Sequence, residues 1–99
     1  MQKDPVLPYL INKASKATEI QRLVLFGSRA MGTAQERSDY DVAVSAPKFN
    51  HEDWSTWAES VRDHIPTLCG IDLIWIESVT SEELKKKISE EGKVFYERK

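Results

Sequence analysis

The chain has 99 residues, with 14 Lys and Arg against 16 Asp and Glu and a formal net charge of −2. At that length a single domain, residues 1–99, with one core burying roughly 65% of the unfolded surface is expected, and the lack of a basic excess argues against direct nucleic-acid binding. One cysteine, Cys69, leaves no intrachain disulfide or Cys-based zinc site, and without a signal-peptide core or an apolar run of about 18 residues the expected setting is the cytoplasm, away from membranes.

In chain order, Leu7, Leu10, Ile11, Ala14 and Ala17 recur at helical spacing and predict a first amphipathic helix from Leu7 to Ala17. Pro5 or Pro8 stands near its start, where a missing amide hydrogen does no harm, and Lys13 and Lys16 form its solvated side. Ile20 to Phe26 reads as a first strand, central and covered on at least one face because Leu23-Val24-Leu25-Phe26 is apolar at both alternating positions. The stretch from Arg29 to Arg37 is too short before Gly32 for a full helix and too polar afterward for a strand, so one helical turn and a loop are expected. Asp39 to Ser45 is the second strand, stopped by Pro47.

Asn50 then suits a helix cap with Asp53 at the third position, and Trp54, Trp57, Ala58, Val61 and Ile65 form an apolar stripe to about His64, ended by Pro66. Those tryptophans read as core, with Trp54 and Trp57 able to reach its rim and serve an interface. His51 and His64 lie on the polar flanks of that helix and read as surface residues. Ile71 to Ile76 is a third strand. Thr80 with Glu83 has the pattern of a capping box, Glu82–Lys86 and Glu83–Lys87 are oriented for ion pairs four apart, and Gly92 can take the left-handed cap before an extended tail, Val94-Phe95-Tyr96. The order predicts an α/β (α+β) sandwich of a small mixed sheet with flanking helices.

Chemistry concentrates between Phe26 and Asp41. Gly27 lets the chain turn sharply off the first strand and lets a ligand approach the backbone, and it stands at a carboxyl end of the sheet, where ligands collect. Ser28 suits an N-cap, which would aim the amides of Ala30 and Met31 at phosphate oxygens. Arg29 and Arg37 are the cations of this segment, available to a triphosphate or to neighbouring carboxylates. Asp39 and Asp41 share one strand face with Cα atoms about 6.6 Å apart, a separation at which their repulsion is roughly 2 to 3 kcal/mol at an effective dielectric near 20. A hard divalent cation with oxygen ligands removes it, and magnesium is the default. Asp72, near the start of the third strand, needs a partner if buried; taken alone it reads more readily as an exposed residue capping the Cys69-Gly70 turn, and Asp39 and Asp41 tip the balance to a ligand.

Gly27-Ser28, ten residues, then Asp39-x-Asp41 resembles the signature of the DNA polymerase β-like nucleotidyltransferase superfamily, and Gly27-Ser28-Arg29-Ala30-x-Gly32 with Ser38-Asp39-x-Asp41 is similar to its minimal nucleotidyltransferase (MNT) branch. The resemblance spans nearly the whole chain and implies the polymerase β-like fold. It implies that Gly27, Ser28 and Arg29 hold the triphosphate of ATP, with Arg29 also part of the structure of the turn. Asp39, Asp41 and, from the third strand, Asp72 would hold two magnesium ions and form the catalytic set. Many members carry a second arginine where this chain has Met31.

MNT proteins typically pair with HEPN-domain toxins. The resemblance therefore implies an antitoxin in a hetero-oligomer that moves AMP from ATP to a tyrosine of a toxic ribonuclease. Two other readings stand beside it: a nucleotide-binding subunit that neutralises its partner by occlusion, and a small-molecule antibiotic nucleotidyltransferase, for which no second, acceptor-binding domain is visible.

Overall fold

The computed structural model describes residues 5–35 and 38–99, so the expectation for Arg37 lies outside the described residues. The first strand, β1 (Arg22–Phe26), holds four consecutive buried apolar side chains, which requires cover on both faces and places it inside the sheet. The sheet order is β3-β2-β1-β4. Here β2 (Tyr40–Ser45) and β4 (Lys93–Glu97) each run antiparallel to β1, and β3 (Ile71–Trp75) runs parallel to β2. With α1 (Val6–Ser15), α2 (Ser28–Met31), α3 (His51–His64) and α4 (Glu82–Glu91), this is the expected α/β layout of a mixed sheet with flanking helices.

The two sheet faces are unequal. Leu23, Leu25, Val42, Val44, Leu73 and Trp75 point to the main core, where Val6, Leu10 and Ala14 of α1 and Trp57, Ala58 and Val61 of α3 cover them. The Tyr9 hydroxyl donates to the Val61 carbonyl at 2.8 Å and ties the two helices together. On the opposite face Val24, Phe26 and Ala43 pack under Ile74, Ile76, Leu84 and Ile88, so α4 covers it. Asp41 and Asp72 lie on this second face, at the end of the sheet beside the Gly27 turn.

The Asn50–Asp53 capping box is present in both directions, and Trp54 stacks on Trp75 at 6.0 Å at the edge of the core. Four expectations differ. The extended tail is a full strand, β4, because Leu23 and Arg22 of β1 pair with Tyr96 and Glu97. The cap of α4 is Ser81 rather than Thr80: its side chain accepts from the Leu84 amide, and since Leu84 cannot reach back, only half of a capping box forms.

Gly92 is extended, with φ −69° and ψ 142°, rather than left-handed. A side chain there would strike the Ile88 carbonyl and Val24, so glycine serves close packing. Lastly, the ion pairs on α4 are Lys85–Glu82 at 3.5 Å and Lys86–Glu90 at 4.0 Å, not Glu82–Lys86 and Glu83–Lys87. Among the described residues no helix is long and apolar enough to cross a membrane.

Candidate active site

Gly27 leaves β1 with φ 75° and ψ −159°, a backbone conformation open to glycine and strained for other residues. That freedom moves the start of α2 one residue earlier than expected. Gly27, not Ser28, is the N-cap, and the amides of Ala30 and Met31 both donate to the Gly27 carbonyl at 3.1 Å instead of pointing outward. A Cβ at Gly27 would overlap the Asp41 carboxylate, so the missing side chain makes the room in which that carboxylate sits against the turn.

The register explains the meeting. Phe26 pairs with Asp41 across β1 and β2, and Asp41 pairs with Asp72 across β2 and β3, which sets the turn and two carboxyls in one row across the sheet end. Burial, then the Asp72 charge and the hydrogen bond between the two side chains, push the Asp41 carboxyl above the usual aspartate range; Asp39 adds to this and Lys87 opposes it. Asp72 itself is exposed, so burial does not explain its need for a partner; its closeness to Asp41 does. Asp39 is also exposed, and its carboxylate packs against Gly70, where a Cβ would come within 2.7 Å of it.

Magnesium can be tested against this donor set. All the candidate ligands are hard oxygens, and two of them, Asp41 and Asp72, stand close enough for their charges to oppose each other, which suits a divalent ion. Among the described residues no three His, Cys, Asp or Glu side chains are already gathered as a metal-holding group, so Asp39 and the Asp41–Asp72 pair would have to close together around one.

Arg29 does structural work. Its Nε and Nη2 donate to the Ser38 carbonyl at 3.0 and 2.9 Å, Nη2 reaches Cys69 Sγ at 3.7 Å, and the guanidinium lies 3.9 Å from the Tyr40 ring centre. It therefore clamps α2 to the residues that lead into Asp39 and Asp41. The sequence pattern did not single out Lys87 or Glu91, which stand one turn apart on α4. Lys87 faces Asp41 closely enough to favour its charged form, and Glu91 Oε1 accepts from the Gly27 amide at 3.2 Å. The four-residue spacing of the two was the available signal, but it reads equally as a solvated helix surface.

A family model described as "Polymerase beta, Nucleotidyltransferase" matches residues 9–99. The chain belongs to this family. Within it, a protein of Methanocaldococcus jannaschii described as "Putative protein adenylyltransferase" is 31% identical over 75 residues, covering 74% of each chain. The fold recurs in a solved structure described as a toxin-antitoxin with AMP-PNP, with a TM-score of 0.71 at 24% identity over 94% of this nucleotidyltransferase-family chain and 74% of that one. It recurs also in a tri-AMPylated Shewanella oneidensis HEPN toxin in complex with MNT antitoxin, with a TM-score of 0.64 at 22% identity over 93% of this chain and 70% of that one.

Proposed function

We propose that the chain is an MNT antitoxin that transfers AMP from ATP to a tyrosine of a HEPN-type ribonuclease toxin, acting in the cytoplasm within a hetero-oligomer. The observation that carries the reading is the Asp41–Asp72 pair seated against the Gly27 turn. The AMP-PNP and the AMPylated toxin named for the structural neighbours, and the adenylyltransferase relative, support ATP and a protein acceptor.

Gly27 and Ser28 receive the triphosphate, with the backbone brought close by the missing side chain, and Arg29 keeps that turn in register with β2. Asp39, Asp41 and Asp72 would hold magnesium, which when bound offsets charge on the phosphates and on the attacking tyrosine oxygen. A cation bound there would favour the charged form of the Asp41 carboxyl, which burial and Asp72 disfavour. The tyrosine hydroxyl releases its proton to solvent as its oxygen attacks the α-phosphorus, the bond to the bridging oxygen breaks, and pyrophosphate leaves with the electron pair.

A second reading, occlusion without transfer, is favoured by one specific feature: Glu91 already holds the Gly27 amide. The two readings separate by stoichiometry. An enzyme present at a small fraction of the toxin, with ATP and magnesium, leaves the re-isolated toxin heavier by covalent AMP in intact mass spectrometry and still inactive. Unmodified toxin that regains full ribonuclease activity on separation rejects the enzyme reading, because an occluding surface protects only in proportion to its occupancy.

A further inference from the structure

We propose that the cavity between the start of β1 and α4 binds a small organic anion with an apolar body, at a place separate from the aspartate corner. The cavity measures about 320 Å³, at the small end of the roughly 300 to 1,000 Å³ typical of ligand pockets. Its walls are apolar, from Val24, Ile76, Val79, Ile88 and Val94. The polar side chains on it are Arg22, Lys85 and Ser89: two cations, one hydroxyl and, among the described lining residues, no carboxylate. In a chain of net charge −2 that local balance is the reverse of the whole.

Among the described residues neither cation is strongly held by a carboxylate. Arg22 Nε is buried and, among the described residues, has no hydrogen-bond partner, a state that a charged donor leaves by shifting toward an anion. Among the described residues Lys85 pairs with Glu82 at 3.5 Å, and with side chains 51% and 89% exposed that pair is weak enough for a better-placed anion to compete. An anionic head at Arg22 and Lys85, with Ser89 donating, leaves the apolar body against Val24, Ile88 and Val94.

The cavity is distinct from the aspartate corner by position. Arg22 and Phe26 mark opposite ends of β1, roughly 13 Å apart at strand rise, and Asp41 pairs with Phe26. Helix α4 divides them, with Lys85, Ile88 and Ser89 toward the cavity and Lys87 and Glu91 toward the corner.

The test is a titration of the full chain with sodium octanoate, and in parallel with 1-octanol, followed by amide NMR. Octanoate should bind saturably, with shifts centred on Val24, Ile88, Ser89 and Val94, and octanol should bind about tenfold more weakly for want of the charge. Lys85→Gln and Arg22→Gln should each weaken octanoate several-fold and leave octanol unchanged. Adding magnesium and a nonhydrolysable ATP analogue should not displace octanoate. The proposal is overturned by equal affinity for the alcohol, by shifts centred on Gly27 and Asp41, by displacement with the nucleotide, or by the lack of saturable binding. Should Arg22→Gln fail to fold, exposed Lys85 decides alone, and unchanged octanoate affinity in Lys85→Gln overturns the proposal.

Discussion

The backbone amide of Gly27 donates to Glu91 Oε1 at 3.2 Å, so a carboxylate from the last turn of α4 occupies the amide of the turn that the family signature assigns to phosphate. An incoming triphosphate oxygen and Glu91 cannot both take that hydrogen. Glu91→Ala should therefore tighten binding of a nonhydrolysable ATP analogue by several-fold in calorimetry, with Glu91→Gln intermediate because its amide oxygen still accepts while its charge is gone. The same change should lower folding stability by about 1 kcal/mol, the typical worth of one hydrogen bond. Lower stability with unchanged nucleotide affinity would mean that Glu91 only latches α4 to the turn.

Acid should stabilise the metal-free chain through Asp41. Its carboxyl is raised above the ordinary 3.8 by burial and by Asp72, so between that value and the higher folded value the folded chain binds more protons than the unfolded one. Its contribution is fully present below the unfolded pKa and is lost as pH rises through the folded pKa. Asp41→Asn should flatten this part of the stability-versus-pH curve and raise the melting temperature at pH 7 without metal. It should also remove any stabilisation by added magnesium. A melting temperature that falls in the mutant, with the pH slope intact, would rule out carboxylate repulsion as the strain at this corner.

Much of this site could be read from residue order because it depends on local rules. Gly27 after four apolar residues marks the turn, and Asp39-x-Asp41 before Val42-Ala43-Val44 marks the entry to a strand, although β2 starts at Tyr40 and leaves Asp39 just outside it. What stayed hidden depends on tertiary partners. Lys87 and Glu91 look like any exposed helix charges until α4 is laid across the sheet. The tail became β4 because β1 needed a second neighbour, a demand carried by Leu23 and Val24 rather than by Val94. The Ser28 cap failed for a backbone reason, since positive φ at Gly27 starts the helix a residue early.

Arg98 was equally invisible from its neighbours. Its guanidinium donates to the carbonyls of Ala14 at 3.1 Å, Ala17 at 3.2 Å and Ile20 at 3.0 Å, capping the end of α1 from the far terminus of the chain. A cation there satisfies carbonyls that the helix leaves open and complements its dipole. Arg98→Ala should cost about 2 kcal/mol, read as a drop in melting temperature on the order of 10 °C for a domain of this size. A shift within error of zero would show that solvent replaces the cap at no cost.

Arg29 offers the sharpest separation of structure from ligand contact. Its fork holds the Ser38 carbonyl with two nitrogens while its flat face lies 3.9 Å from the Tyr40 ring centre, a combination that lysine cannot reproduce with a single ammonium. Arg29→Lys should thus lower stability by roughly 1 to 2 kcal/mol even without nucleotide. Because Tyr40 directly precedes Asp41, loosening the clamp should also weaken nucleotide binding. A double-mutant cycle with Tyr40→Leu tells the two origins apart. If stacking carries part of the effect, the cost of Arg29→Lys shrinks in the Tyr40→Leu background, giving a coupling above about 0.5 kcal/mol in urea unfolding. Were Arg29 chiefly a phosphate contact, the unliganded stability would not change, the cycle would show no coupling, and the loss would appear only in the calorimetric affinity for the nucleotide.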